Sequence, residues 1–306
     1  MNRSSLVRFL LLGAIWGSSY TFIKASLNGL TPSQLVLGRV LLGAMVLLAV
    51  LAVRRVGLPP FSIAWVHMIV TATLGMVLPF LLLAWGERYT SAAMAGVVIA
   101  ALPLITLGGV TFLLPSERAT WRKVVGMLIG FAGVILVLSP WRTDPGLLKG
   151  QLAVLGAAVC YAGQTIYIRR FLSPRGISAL ALAASQLIVA LLLQVIVTSL
   201  APWETPRFTG QVTASIVVLG VVGTGLGYVL YFRLIADLGA TTASAVNYLV
   251  PVAALIISTT TLHDAVTWSM VVGVLAVLLG LAFAENRMAL PGWFGPREPS
   301  RAQTRS

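Results

Sequence analysis

The sequence predicts an all-α integral membrane protein of ten transmembrane helices, arranged as two inverted five-helix repeats with both termini in the cytoplasm. Three observations predict this fold: a composition suited to lipid, ten apolar runs of membrane length, and a motif that recurs after about 147 residues. Of the 306 residues, 58% are apolar and only 9% are charged, and the mean hydropathy is +0.96. Since a soluble domain carries roughly 25% charged residues, this composition excludes a soluble enzyme.

Ten stretches are long and apolar enough to cross the hydrocarbon core, which takes about 20 residues of helix. The predicted spans are 6–27, 32–53, 64–86, 90–114, 121–139, 148–168, 177–200, 211–235, 240–262 and 266–284. Their apolar runs are continuous rather than alternating, which favours helices over a β-barrel. The connections are short, and the polar segment 286–306 is expected to be a disordered basic tail in the cytoplasm.

The basic residues predict the orientation and the surroundings of the chain. If both termini are cytoplasmic, fifteen of the 21 Lys and Arg residues lie on that side, five lie on the other, and Arg39 lies within a span. Short cytoplasmic loops carry such an excess of positive charge. Because these residues are scattered between apolar runs, the net charge of +13 indicates a lipid bilayer as partner, in the plasma (inner) membrane, and no nucleic acid. The single Cys160 excludes a disulfide framework, and neither a metal nor a cofactor is expected.

An internal repeat divides the chain. The segments TWRKVVGMLIGFAG at 120–133 and TWSMVVGVLAVLLG at 267–280 agree at seven of fourteen positions. Pro103 and Pro251 are separated by a similar interval. We therefore predict a first repeat over 1–140 and a second over 148–285, each of five spans. Because five is odd, the second repeat enters the membrane from the opposite side and is inverted relative to the first.

Charges within the matched motif agree with this inversion. Arg122 and Lys123 stand at a predicted cytoplasmic end, whereas the equivalent Ser269 and Met270 stand at a predicted external end. Two inverted halves around a site at the midplane can open first to one side and then to the other. The repeat therefore favours a transporter that works by alternating access.

These features resemble the EamA-type members of the drug/metabolite transporter superfamily. The resemblance covers about 6–285 and depends on Trp16 and Gly17 in the first helix, a second helix that starts at Pro32 and carries Arg39, the prolines at 103 and 251, and the two matched Gly-rich helices. It implies export of small metabolites. Bacterial amino-acid exporters of the YddG type are the branch that the chain looks most similar to.

Arg39 is the first candidate for substrate binding, because it is the one charged group well inside a predicted span and such a charge is costly in hydrocarbon. One interpretation is that its planar guanidinium binds a substrate carboxylate. The other is structural: the side chain extends to the membrane surface or binds backbone carbonyls.

Three prolines are candidate hinges. Pro103 and Pro251 cannot donate to the carbonyls of Ile99 and Asn247, which leaves two carbonyls free to bind an ammonium group or a water. The alternative is that these prolines only kink the helices for packing. Pro79 frees a further carbonyl in the third helix.

Aromatic and polar side chains within the spans predict the face of the substrate cavity. They are Trp16, Ser19 and Tyr20 in the first helix, Trp85 in the third, Tyr161, Gln164 and Thr165 in the sixth, Tyr228 and Tyr231 in the eighth, and Asn247 and Tyr248 in the ninth. Gln186 stands in the second repeat where Arg39 stands in the first. Each of these residue types also occurs at membrane interfaces or bonds neighbouring helices.

The sequence favours a transporter of small molecules, with amino acids (aromatic or neutral) as the expected substrates. Relatives that carry nucleotide sugars, phosphorylated metabolites or drugs are the alternative, although a multiply charged anion would call for more than one inward basic residue. GlyThrGlyLeuGly at 223–227 lacks the strand, turn and Lys of a nucleotide loop, so no ATPase subunit is expected. With no acid in a span interior, we expect a facilitator or a weakly coupled exporter. A membrane-embedded enzyme or a receptor is the competing class, and the oligomeric state is left open.

Overall fold

The computed structural model describes residues 3–113, 120–141, 144–238, 243 and 245–284. These residues form helices and connecting turns, and none of them lies in a β-strand. The predicted tail at 286–306 lies outside the described residues. Eight of the helices are long and apolar enough to cross a membrane, and two further apolar helices have 17 residues each.

We number the helices in chain order. They are α1 (Arg3–Ser26), α2 (Pro32–Arg54), α3 (Ile63–Gly86), α4 (Ala92–Phe112), α5 (Trp121–Leu138), α6 (Pro145–Arg175), α7 (Ala179–Leu200), α8 (Gly210–Leu238), α9 (Val246–Leu262) and α10 (Trp268–Ala284). Most ends fall within a few residues of the predicted ones.

The sixth helix departs from the prediction at both ends. It begins at Pro145 rather than 148, because the Asp144 side chain accepts a hydrogen bond from the Gly146 amide at 2.7 Å and caps the helix. It continues beyond the predicted 168 as one π turn, Ile168–Leu172, and one 3₁₀ turn, Ser173–Arg175. The predicted limits 148–168 were therefore wrong, since a polar Arg-rich stretch was taken for a loop.

The start of α2 shows how local sequence fixes a helix end. The Thr31 side chain accepts a hydrogen bond from the Gln34 amide, the Gln34 side-chain oxygen accepts one from the Thr31 amide, and Pro32 occupies the first turn. Proline suits that position, because the amide it lacks would have no partner there. This cap sets the position of Arg39 two turns into the helix.

Helices α5 and α10, which carry the matched motif, pack antiparallel. Gly126 lies against Gly280, and Gly133 lies against Gly273, so closely that a Cβ on any of the four would overlap the partner's backbone. The two pairings exchange when each glycine is replaced by its equivalent in the other repeat. Because residue numbers rise along one helix as they fall along the other, the two motifs run in opposite directions.

Several other contacts repeat in the same way. Helix α1 packs on α8 and α9, and α6 packs on α3 and α4. Helix α2 contacts α7 and α8, and α7 contacts α2 and α3. Each contact is thus reproduced when every helix is exchanged for the helix five positions away. At the centre of the bundle α8 contacts both α1 and α2, and Tyr161 of α6 lies within electrostatic range of Arg39 on α2.

Three helices leave regular α geometry near that centre. α3 contains a π turn at Thr73–Val77, and α8 contains a longer π segment at Val218–Leu226. Pro79 follows the first of these by two residues, but Gly227 holds the equivalent place in α8. In α4 a 3₁₀ turn at Ile99–Ala101 precedes Pro103. Pro251 lies inside α9, in the second turn of the described helix rather than near its middle.

Candidate functional site

Arg39 lies on α2 at the centre of the bundle, with only 7% of its surface exposed. Its Nε donates a hydrogen bond to Oγ1 of Thr224 on α8 at 3.0 Å. The guanidinium carbon lies 3.9 Å from the centroid of the Phe80 ring on α3, a cation–π contact. The Thr224 hydroxyl in turn donates to the carbonyl of Leu219, also at 3.0 Å, within the π segment. The guanidinium is therefore held on one edge and on one face.

In the part of the chain that the structure describes, no hydrogen bond holds the other edge of the guanidinium. Within the described residues, Nη1 and Nη2 of Arg39 have no hydrogen-bond acceptor. The phenol groups of Tyr161, Tyr228 and Tyr20 lie within electrostatic range of the guanidinium. These rings come from α6, α8 and α1, so both repeats contribute to the surroundings of one cation. The free edge can donate hydrogen bonds to two oxygens of a planar anion such as a carboxylate.

Trp16 joins α1 to the π segment of α8. Its indole Nε1 donates to the Gly223 carbonyl at 3.2 Å, and its ring centroid lies 6.5 Å from that of Tyr228 and 5.3 Å from that of Tyr231. Gly227 makes room for the indole, because a Cβ there would lie 2.8 Å from Nε1. Of the predicted residues, the structure thus brings these three aromatic side chains together.

Ser19 lies next to this aromatic group without a hydrogen bond to it. A Cβ on Gly223 would lie 3.4 Å from the Ser19 hydroxyl, which donates to the Ile15 carbonyl of its own helix at 3.2 Å. The Thr165 hydroxyl likewise donates to the Tyr161 carbonyl at 2.9 Å. Both hydroxyls are satisfied within their own helices.

A second polar group connects α6, α7 and α3. Gln164 Nε2 donates to Gln186 Oε1 at 3.3 Å, and Gln186 Nε2 donates to the Thr71 hydroxyl at 3.0 Å. The Gln164 side chain occupies the space beside Gly75, where a Cβ would overlap it. The predicted residues Gln164 and Gln186 are therefore bonded to each other, next to the π turn of α3.

The predicted residue Trp85 lies on α3, and the predicted residues Asn247 and Tyr248 lie on α9. Trp85 is 38% exposed and packs its ring 4.9 Å from that of Tyr89. Asn247 and Tyr248 are half-buried in the first turn of α9. Because Leu249 lies against Gly13, they are displaced from the level of Trp16 by about five residues, or about 8 Å of helical rise, toward the N-terminal end of α1.

The residues that hold Arg39 were not identified from the sequence. Thr224 stands inside GlyThrGlyLeuGly, whose glycines indicate packing, and Phe80 is one apolar residue among many. Thr71 was missed for the same reason. The signal that could have found Thr224 is that a hydroxyl in an apolar helix with such close glycine contacts must face another helix.

Contacts tie the bundle together at both ends. At the near end, where α1 begins and α8 finishes, Arg8 forms an ion pair with Asp237, which also lies 3.6 Å from Arg233. A small cleft of about 110 Å³ opens there between Arg54 and Phe232. At the far end, where α1 and α3 finish and α4 begins, the Lys24 amine donates to the backbone carbonyls of Glu87 and Thr90.

The model described as the EamA-like transporter family matches residues 4–139 and again residues 148–285. A shorter match, to the Ycf66 protein N-terminus, covers 123–169. The two EamA matches together take in most of the chain and all of the residues around Arg39.

Relatives of similar length are described as transporters. YvbV of Bacillus subtilis, an uncharacterized transporter, is 26% identical over 289 residues, which cover 92% of this chain and 91% of YvbV. YedA of Escherichia coli K12, an uncharacterized inner membrane transporter, is 27% identical over 254 residues, covering 80% and 78% of the two chains. One solved crystal structure has a TM-score of 0.67 at 21% identity and covers 93% of this chain and 99% of its own; it shows the fold alone.

Proposed function

Because the chain belongs to the EamA-like transporter family, we propose that this multi-pass membrane transporter exports small metabolites with a carboxylate, in particular aromatic or neutral amino acids. The description of YedA supports the inner membrane as its location. One observation carries the choice of substrate class: Thr224 fixes one edge of the buried Arg39 guanidinium, while the other edge has no hydrogen-bond acceptor among the described residues.

The surroundings of Arg39 support a singly charged, partly apolar substrate. A carboxylate on the free edge would lie among the rings of Tyr20, Tyr161 and Tyr228, which offer apolar surface and hydroxyl groups. A nucleotide sugar or phosphorylated metabolite would bring at least two negative charges to one central cation, and unpaired buried charge is costly. The amino group of the substrate would bind hydroxyl or carbonyl oxygens of the same region.

The symmetric packing supports alternating access. Helices α5 and α10 pack antiparallel, and equivalent contacts exchange between the halves. Such a pseudo-two-fold arrangement allows two conformations in which the halves exchange their shapes, so that first one side and then the other is open. The π segments in α3 and α8 lie at equivalent places of the two repeats, and π segments within α-helices often occur at functional sites. We propose that these segments, with Pro103 and Pro251, act as the hinges.

Counterflow in proteoliposomes tests the substrate class. Vesicles loaded with unlabelled L-phenylalanine should accumulate external radiolabelled L-phenylalanine through the wild-type protein, and Arg39→Gln should abolish this accumulation. Arg54→Gln is the matched control, since Arg54 lies exposed at the end of the same helix. Equal counterflow by the Arg39→Gln variant would refute the binding role, and counterflow of UDP-glucose but of no amino acid would refute the substrate class.

A further inference from the structure

Glu87, the first residue after α3, is a buried carboxyl group without a partner. None of its surface is exposed, and neither Oε1 nor Oε2 has a hydrogen-bond donor in the part of the chain that the structure describes. An anion in that position would lose its hydration and gain nothing in return. We infer that Glu87 is a proton-binding site, neutral while the far end of the bundle is closed and ionised when that end opens to water.

The nearest cation does not neutralise this carboxyl group. Lys24 directs its amine to the backbone carbonyls of Glu87 and Thr90, the latter at 2.9 Å. No ion pair joins Lys24 to the Glu87 carboxylate among the described residues. The Lys24 amine thus binds the end of α1 to the turn between α3 and α4. The neighbouring carboxyl group of Glu87 is then neutralised by a bound proton instead.

The other charged and titratable groups described around Glu87 also make no hydrogen bond to its carboxyl group. They are Tyr20 on α1, Arg39 on α2, Arg88 and Tyr89 in the same turn, Lys149 on α6 and Asp264 after α9. Lys149 lies 3.8 Å from the centroid of the Tyr89 ring. The Asp264 carboxylate accepts a hydrogen bond from the Ala93 amide at 2.9 Å and adds negative charge nearby.

These surroundings set the sign of the pH dependence. Burial raises the pKa of the Glu87 carboxyl well above its ordinary value, the positive charges of Lys24 and Arg39 oppose the rise, and Asp264 adds to it. In an open far end the carboxyl group would meet water and return to its ordinary pKa. The closed form is therefore fully favoured below the ordinary pKa and loses its advantage as pH rises toward the raised pKa. Opening releases one proton, and closing takes one up.

This inference goes beyond the proposed transport and makes no use of its substrate. We expected a facilitator or a weakly coupled exporter, because no acid lies inside a predicted span. Glu87 differs from that expectation, since it lies just past a span. Each cycle that opens and closes the far end would exchange a proton with the solution on that side, which the distribution of basic residues predicts to be external.

A buried cysteine at the far end reports the closed state. Thr90 is 3% exposed, and its hydroxyl has no partner in the described structure, so Thr90→Cys removes no side-chain hydrogen bond. The protein, with Cys160→Ala, would be placed in nanodiscs, where both ends are accessible, and labelled with a membrane-impermeant maleimide at about pH 5 to about pH 8. The rate at exposed Gly57→Cys, where nothing lies within 4 Å of a Cβ, corrects for the reactivity of the thiolate.

We expect the corrected labelling rate to rise by up to about tenfold per pH unit while Glu87 ionises. The Glu87→Gln variant, which keeps the shape of the neutral acid, should show a rate that stays low and flat. Glu204→Gln, an acid exposed at the same end, should behave like the parent. A parent rate that does not change with pH, or one that Glu87→Gln changes no more than Glu204→Gln does, overturns the inference.

Infrared spectra of the parent protein give a second measurement that depends on no reporter cysteine. At a pH between the ordinary and the raised pKa of Glu87, a protonated carboxyl band should be present in the parent and absent from the Glu87→Gln variant. If the two spectra are the same, the inference fails even where the labelling variants fold poorly. Since neither measurement involves transport, failure here leaves the proposed function to be decided by counterflow.

Discussion

Thr224→Val tests whether the hydroxyl on α8 holds Arg39 ready for substrate. Valine has nearly the same shape as threonine but cannot accept the hydrogen bond that Arg39 Nε now donates at 3.0 Å. Both side chains are buried, at 1% and 7% exposure, so water does not readily replace the hydroxyl. A hydrogen bond to a charged group contributes about 1.5–3 kcal/mol. If the guanidinium turns to find another acceptor, its free edge is lost to the substrate, and affinity should fall roughly 10- to 150-fold.

Binding of radiolabelled L-phenylalanine to purified protein measures this loss. Thr224→Ser keeps the hydroxyl and serves as the control, with an affinity within about threefold of wild type because the hydrogen bond is retained. In an Arg39→Gln background, Thr224→Val should have no further effect, since residues that act through one contact are not additive. Equal affinities for the Val and Ser variants, or the same loss in both backgrounds, would show that Thr224 does not position Arg39.

Two glycine substitutions test the packing. Gly133→Ala places a Cβ 2.6 Å from the Gly273 carbonyl and should cost about 1–3 kcal/mol of stability, measured as a lower Tm in detergent. The control Gly57→Ala should leave Tm unchanged. Equal Tm values for the two variants would contradict the close α5–α10 contact. Gly75→Ala should force Gln164 out of its hydrogen bond to α7, which costs about 0.5–1.5 kcal/mol and lowers Tm. In a Gln164→Ala background the overlap is absent, so Gly75→Ala should lower Tm no further. A Gly75→Ala effect that is as large without the Gln164 side chain would contradict this placement.

The apolar helices were predictable because a bilayer imposes a length and a composition on each helix that crosses it. The same physics made Arg39 conspicuous, since a charge in an apolar run is costly. The π turns at Thr73–Val77 and Val218–Leu226 were not predictable, because the second has no proline to mark it. The length of α6 was missed because its last turns are polar and rich in arginine.

The partners of the candidate residues depend on how the helices rotate against one another, which a single sequence leaves open. Trp85 and Trp16 looked alike as aromatic residues in apolar runs, yet one is 38% exposed beside Tyr89 and the other bonds to α8. Glu87 follows directly after the end of α3, a position where exposure is usual. Its complete burial results from the packing of α1 against the turn that follows α3.

The opposed direction of the two halves is tested most directly by the sidedness of equivalent residues. In a Cys160→Ala background, Arg122→Cys and Ser269→Cys place one thiol at the start of α5 and one at the start of α10. An impermeant maleimide added to intact cells should modify only Ser269→Cys, and Arg122→Cys should react only after the membrane is permeabilised. Reaction of both thiols from the same side would contradict the inverted arrangement on which a shared site at Arg39 depends.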